Sequence, residues 1–536
     1  MALTNQSADV HVQVSQGPVR GRREGPDARV AAFRGVPYAA PPTGPLRFAP
    51  PAEPPPWHEP LDAAGPRGTV PLQLPSPVGT LMADPQTPQT EACLTVNIWT
   101  PGPGGRARPV LVWLPGGSFL TGGADLPRYD GAELAAQENL VVVLVNYRLG
   151  ALGFLAPHEA EPATIEGTGT QLTFRTASPD GFTTNAGLLD QIAALRWIRA
   201  EITAFGGDPE RIAVAGQSAG GQALAALLAL PQVRPLFRRA LLHSAPLGMA
   251  PLTRQAAAET ADLFRTAAGA AGPQQLRTAS AEQIRAAQQH ILTRPRPPGD
   301  VRPPFQLVAD TTVVAADLTR ALRHSPPLDG TEILLGTTRH ECALWFGRQT
   351  EGPDREAVLA QFRAEFGPRA DEALARYTAA APAPSQALTA AFEDLKTDAF
   401  FAAPTQDFAD TLHTHGARTW LYRFDWQLPG RHQALRACHC LDIPFLLGRE
   451  EARHAPLFEG TDQNTMTHLR RQMRALWGAF VRTGTPAPHT NWPAHHPDRP
   501  AIRTLGATPA DTIRPSLLEP GREELWQAHT GTPDAS

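Results

Sequence analysis

The chain has 536 residues, 42% hydrophobic and 19% charged, with a formal net charge of −4 and a pI near 6.5. This balance fits a soluble globular protein with a large core. It argues against disorder and against an electrostatic affinity for nucleic acid or acidic membranes. The four cysteines, Cys93, Cys342, Cys438 and Cys440, show no C-x-x-C spacing, so neither a disulfide framework nor a metal knuckle is expected and a reducing, cytoplasmic setting fits best.

The first residues carry no basic segment followed by an apolar run, so no secretory signal is expected. No apolar run approaches the ~18 residues that read as a membrane-spanning helix. Pro41 to Pro60 interleaves prolines with Leu46, Phe48 and Trp57, which predicts an ordered surface wrap rather than a linker. Val110–Leu114 and Leu140–Val145 read as buried strands. From Asn185 to Phe205, Leu188, Ile192, Leu195, Ile198 and Ile202 recur at helical spacing, and Gly206-Gly207 ends the helix. Ile212–Ala215 is a further buried strand, followed by strong helix formers from Ala219 to Leu230. Ala240–Leu242, Ile333–Leu335 and Thr419–Phe424 read as short strands, while Ala256–Ile291 is Ala/Gln/Arg-rich and helical. Leu469, Met473, Leu476, Trp477 and Phe480 line one face of a late helix. Strands alternating with helices predict an α/β fold, a large mostly parallel sheet covered on both faces. We read residues 1–536 as one domain, with helical excursions near 250–330 and 350–415.

The stretch Arg211–Gly221 (RIAVAGQSAGG) carries the chemistry. Gly216 and Gly220 bracket Ser218 in a G-x-S-x-G pattern set between a strand and a helix. Three fixed positions alone are a weak signal; the strand–turn–helix context makes this a nucleophile elbow. Small flanking residues let strand and helix meet, and the helix N-terminus favours the negative charge that acyl transfer develops. Such a serine needs a base, an orienting acid and an oxyanion hole. Pro115-Gly116-Gly117-Ser118, leaving the strand at Leu114, suits the oxyanion loop. Glu341 lies just beyond the strand Ile333–Leu335, where an open α/β sheet gathers its ligand groups; an exposed ion pair with Arg339 is the competing reading. Among the histidines after Glu341 (His413, His415, His432, His439, His454, His468, His489, His495 and His496), His439 in LRACHCLDIPFLLG sits in a semi-apolar loop that would hold it rigidly. Cys438-His439-Cys440 matches no zinc spacing and lacks a second ligand pair, which disfavours a metal site.

Collinear blocks then identify a relative. They are FRGVPYAAPPTGPLRF (Phe33–Phe48), EACLTVNIWTP (Glu91–Pro101), PVLVWLPGGSF (Pro109–Phe119), NYRLGALGFL (Asn146–Leu155), the long Asn185–Gly221 block, GTTRHE (Gly336–Glu341), HCLDIPFLLG (His439–Gly448) and WGAFVRTGTP (Trp477–Pro486). From about Val19 to Thr485 the chain resembles the type-B carboxylesterases, the cholinesterase-like branch of the α/β-hydrolases. The 56 prolines and single lysine (Lys396) fit a GC-rich bacterial member. The resemblance implies Ser218 as nucleophile, Glu341 as acid and His439 as base, with oxyanion donors on Gly117, Ser118 and Ala219. It also implies an ion pair between Glu91 and Arg148. A serine carboxylesterase without cofactor or metal follows, acting on a small-molecule ester, with no nucleic-acid or membrane partner and an open oligomeric state in which a monomer is plausible. The alternatives are a catalytically silent interaction module of the same fold and a specialised hydrolase of carbamate, toxin or protected-drug esters.

The chain departs from the family pattern in several places. Ser118 stands where a third glycine is usual and Pro115 where histidine or tyrosine is usual. Gln217 replaces the glutamate beside the nucleophile and Ala92 an aspartate, and Cys93 has no partner between Gly65 and Thr90. Leu72–Val96 contains no aromatic residue, which disfavours a quaternary-ammonium substrate. Leu155–Asn185 is longer than usual, and the rim of the active-site gorge is the one role it offers.

Overall fold

In the computed structural model of the chain, the central strands sort their side chains between two apolar layers. Val110, Val112 and Leu114 join one core with Val141, Val143, Val145, Ile212 and Val214. Leu111, Trp113, Val142, Leu144, Ala213 and Ala215 face the other. This is the period-2 alternation of strands buried on both faces, and each fully buried Val or Leu contributes about 1.5–3 kcal/mol. The structure describes residues 9–530 except 26–27, 66–67, 83–86, 106, 298, 348–353, 380–385, 449–453, 488–490 and 507–511.

The strands of the main sheet are β1 (Asp9–Val14), β2 (Gly17–Glu24), β3 (Val30–Pro37), β4 (Leu61–Asp62), β5 (Thr95–Thr100), β6 (Arg108–Leu114), β7 (Val141–Val145), β8 (Gly207–Gln217), β9 (Arg239–His243), β10 (Glu332–Thr338), β11 (Arg418–Phe424), β12 (Ile502–Leu505) and β13 (Ile513–Arg514). Their order is β1-β2-β3-β5-β7-β6-β8-β9-β10-β11-β12-β13, with β4 on β2. From β7 to β12 every pairing is parallel. The β1–β3, β5 and β13 pairings at the two edges are antiparallel. The sheet is therefore the mostly parallel one expected, with antiparallel edges that the sequence pattern did not reveal. Four helices matter for the site: α1 (Ala132–Glu138), α2 (Ala186–Glu201), α3 (Ala219–Leu228) and α4 (Gln463–Thr483). Side chains of α2 and α3 pack into the first core layer, those of α1 and α4 into the second. Short helices fill the connection from β9 to β10 (Arg254–Ala267, Pro273–Leu276, Ala281–Leu292, Leu318–Arg323) and that from β10 to β11 (Arg355–Phe366, Ala370–Ala379, Ala387–Thr397, Ala403–Thr414). The Pro41–Pro60 segment is ordered over the surface, with Phe48 buried and Trp57 Nε1 donating to the Pro18 carbonyl.

Two expectations need correction. Arg148 does not pair with Glu91. Its guanidinium forks onto Asp190 of α2, Nη2 to Oδ1 at 2.6 Å and Nε to Oδ2 at 2.8 Å, while Glu91 holds Arg47 at 2.6 Å. Arg148 leaves the end of β7 directly over α2, so the buried aspartate one turn into that helix is the carboxylate it reaches. Nor does the Leu155–Asn185 extension rim the site. It forms a hairpin of Ala163–Glu166 with Thr173–Thr176, and Gly169 at its turn donates to Gln232. Gln232 lies past the far end of α3, a ten-residue helix that spans about 15 Å from Ser218.

The side chains of Arg148 and Asp190 are 2% and 0% exposed. Removing one partner of such a pair strands a buried charge, at about 3–5 kcal/mol. Arg148→Met is expected to lower the urea midpoint accordingly, and a loss under ~1 kcal/mol would show that the pair is not a main tie between β7 and α2.

Candidate active site

Ser218 ends β8 and caps α3 with φ 55° and ψ −123°, a backbone state that costs a non-glycine residue about 1–3 kcal/mol. Its surroundings enforce it. A Cβ on Gly220 would lie 2.1 Å from the Leu114 carbonyl, and one on Gly216 would lie 2.3 Å from the Gly220 carbonyl. Ser218 N–H donates to the His243 carbonyl at 2.9 Å. The side chain caps nothing on α3, so its hydroxyl is left for chemistry.

Beyond β10 the chain turns tightly. Thr338 N–H donates to Glu341 Oε1 at 2.7 Å, and Glu341 Oε2 receives His439 Nδ1 at 2.6 Å. His439 N–H also bonds the Glu341 carbonyl at 3.2 Å. Both side chains are buried, at 0% and 2% exposure. Arg339 turns instead to Glu519 at 2.8 Å, so the competing surface pair is not formed. Trp345 and Phe401 cover the imidazole with ring centroids at 5.0 and 5.2 Å. Other histidines have different partners: His495 bonds Asp410, His415 the Thr411 and Arg323 carbonyls, and His413 packs against His496 with the two rings tilted by 59°. His489 lies outside the described residues.

Burial opposes a charge on His439, but the Cys440 sulfur and the Glu341 carboxylate outweigh it and raise the imidazole above its ordinary value of 6.5. Burial, followed by Arg436, Arg339, Arg423 and Arg522, drives the neighbouring His340 the other way. All four cysteines are free thiols. Cys93 and Cys438 are pushed up by burial.

The loop after β6 lies against the elbow. A Cβ on Gly116 would sit 2.5 Å from both the Gln217 carbonyl and Gln217 Oε1, and 3.0 Å from Ser218 Cβ. Gly117, Ser118 and Phe119 all have positive φ, at 121°, 58° and 58°. No backbone carbonyl among the described residues accepts from the N–H of Gly117, Ser118 or Ala219, whereas the Gly117 carbonyl closes the turn by accepting from Leu120 and Thr121. Against this loop and His439 lies a mainly apolar cleft lined by Leu81, Met82, Tyr129, Leu441, Ile443 and Leu457, with Gln217 and Cys440 also in its wall. Its free space is about 50 Å³, room for a water or two.

Sequence reasoning missed one buried cluster below Ser218. His243, at the end of β9, bonds Asp442 at 3.1 Å and Tyr422 Oη at 2.9 Å, and accepts from Trp477 Nε1 at 2.9 Å. Trp113 packs its ring at 5.3 Å. The cluster ties the loop carrying His439 to β9, β11 and α4. Its one sequence signal was a histidine closing the apolar run Ala240–Leu242.

The model of the Carboxylesterase family matches residues 8–164 and 170–516. The chain belongs to the carboxylesterase family. The esterase is 33% identical over 491 residues to a para-nitrobenzyl esterase of Bacillus subtilis (strain 168), covering 90% of this chain and 92% of that one. It is 34% identical over 492 residues to a phenmedipham hydrolase of Pseudarthrobacter oxydans, with the same coverages. A solved para-nitrobenzyl esterase superposes with TM-score 0.81 at 30% identity, over 98% of this chain and 99% of that one. The fold is that of the α/β-hydrolases, and the enzyme is a carboxylic-ester hydrolase.

A general base must be neutral to take a proton. With His439 in the role of base, kcat/KM is expected to fall on the acid side with its inflection above 6.5, the unperturbed imidazole value, because Cys440 and Glu341 raise the imidazole against the effect of burial. An inflection below it in a pH–rate profile for a neutral ester would contradict the cause assigned.

Proposed function

We propose that Ser218, Glu341 and His439 are the catalytic triad of this serine carboxylesterase, with Gly117, Ser118 and Ala219 as its oxyanion donors. The observation that carries the reading is the 2.6 Å bond between buried Glu341 and His439, formed at the same sheet end as the strained elbow serine. Glu341 holds the imidazole as its Nδ1–H tautomer, leaving Nε2 to take the Ser218 proton. Ser218 Oγ then attacks the ester carbonyl. The three N–H groups stabilise the tetrahedral oxyanion, each worth roughly 3 kcal/mol. Imidazolium returns the proton to the leaving alcohol, and water repeats the cycle on the acyl-enzyme.

The substrate is a small, uncharged ester with an apolar alcohol side, in keeping with the cleft lining and with Gln217 in place of an anionic residue. We place the enzyme in the cytoplasm, as one catalytic domain with helical excursions near 250–330 and 350–415. It would need no nucleic-acid or membrane partner, and a monomer would suffice because every triad candidate lies on one chain. Four unpaired thiols support a reducing compartment. Among the described residues no helix is long and apolar enough to cross a membrane. A complete set of triad candidates disfavours the silent interaction module.

Ser218→Ala is expected to abolish hydrolysis of p-nitrophenyl acetate with an unchanged melting temperature, and an organophosphate should label Ser218 in the wild type. Retained turnover, or labelling at Ser244 by peptide mapping, would defeat the assignment.

Ser118 supplies a second test. Its Cβ projects from the oxyanion loop at φ 58°, so Ser118→Gly should raise kcat/KM more for bulky or tertiary-alcohol esters than for acetates. An equal gain for both would remove the steric explanation.

A further inference from the structure

The Nε2 atom of His439 is already engaged. Gln217 Nε2 lies 3.1 Å from it and 3.1 Å from Cys440 Sγ. Gln217 is 1% exposed, and its carboxamide oxygen rests over Gly116, where a Cβ would meet it at 2.5 Å. Neutral imidazole with Nδ1–H on Glu341 has a single lone pair at Nε2. A carboxamide donating there and a serine hydroxyl donating there are therefore alternatives.

We propose, building on the triad assigned above, that Gln217 is a positioning residue for the base: its carboxamide holds Nε2 of His439 in the resting enzyme and yields it to Ser218 when substrate enters. The narrow cleft supports this, since Gln217 lines it together with His439 and Cys440, and Ser218 is not among its described lining residues. An alcohol group entering a space of about 50 Å³ displaces lining side chains, and Gln217 is the one held by hydrogen bonds to His439 and Cys440. A donated N–H stabilises neutral imidazole over imidazolium, so Gln217 counteracts the rise that Cys440 and Glu341 impose. The groups facing the ring are Glu341 from the turn after β10, Cys440 from its own loop and Gln217 from β8; Trp345 and Phe401 cover it without charge. Arg128 is the other charged side chain in the adjoining cleft. Glutamate at 217 would accept from Nε2–H and favour imidazolium instead.

The test is the pH dependence of kcat/KM for p-nitrophenyl acetate in wild type, Gln217→Glu and Gln217→Met. The glutamate variant is expected to move the acid inflection up by about one pH unit, the low end for an opposite charge within ~4–6 Å. The near-isosteric methionine, which lacks the donor, should move it up by less. If the glutamate variant does not fold, the methionine profile decides. A folded variant of either kind with the wild-type inflection overturns the proposal. Ser218→Ala and His439→Ala, run alongside, separate this from the underlying reading: if they stay active, the triad is wrong; if they are dead while the Gln217 profiles stay put, only the role of Gln217 is.

Discussion

The close approach of three backbone segments at the end of β8 underlies the rest of the site. Gly116, Gly216 and Gly220 stand where a Cβ would fall 2.5 Å or less from a neighbouring carbonyl. That absence of side chains lets α3 start against the end of β6, so that the loop leaving β6 and the N-terminus of α3 converge on one serine. Neither half alone would make an oxyanion site. In the proposed oxyanion hole the loop would supply two N–H groups and the helix the third, and the convergence of loop and helix follows from glycine sterics rather than from any attraction between them.

Glu341 and His439, the proposed acid and base, follow separate strands, β10 and β11, and buried polar contacts fix where they sit. Glu341 is held by the Thr338 N–H before it meets His439, which leaves a fully buried carboxylate with both oxygens engaged. The His439 loop is anchored from below by Asp442 on His243 and Tyr422. A buried ion pair adds little net stability over apolar packing, because desolvation offsets its attraction. What these contacts secure is position: a shift of ~1 Å at the imidazole would cost far more in rate than the pair contributes in folding. Arg148 on Asp190 does the same for the connection between β7 and α2.

Much of this was legible in the sequence, for physical reasons that differ from segment to segment. Central strands such as Val110–Leu114 were readable because burial on both faces leaves continuous apolar runs, and α2 because its apolar residues recur at helical spacing; Gly206 at φ 80° closes the 3-10 turn Ile202–Phe205 that follows it. The edge strands β1 and β2 were not, although they are neighbours in the chain, since a strand with one solvated face mixes polar residues among the apolar ones. Ser218 was legible from local sterics alone. Glu341 was open between an acid and a surface partner of Arg339 until Glu519, 180 residues away, was seen to take the arginine. The Glu91–Arg148 pairing failed for the same reason: sequence order cannot say which of two carboxylates a buried guanidinium reaches. His243 escaped notice because its partners come from three distant elements, and only their convergence makes it more than a strand end.

The departures on either side of Ser218 act on different parts of one machine. Gln217 touches His439, the proposed base, while Pro115 and Ser118 belong to the proposed oxyanion loop. Pro115 has a fixed φ, and its carbonyl is held by Tyr147 Oη at 2.6 Å. At the other end of the loop Phe119 is buried against Phe154, with ring centroids 4.7 Å apart, and its carbonyl takes the Gly150 N–H at 2.6 Å. Between these anchors Ser118 and Phe119 both keep positive φ, a strain of about 1–3 kcal/mol each. A glycine-rich loop would reach the same shape without strain but would sample others as well. Here the anchors hold the loop in this shape, so the N–H groups proposed as oxyanion donors would be set before substrate arrives, without reorganisation as charge develops on the carbonyl oxygen. The loop thus exchanges conformational ease for a fixed backbone shape.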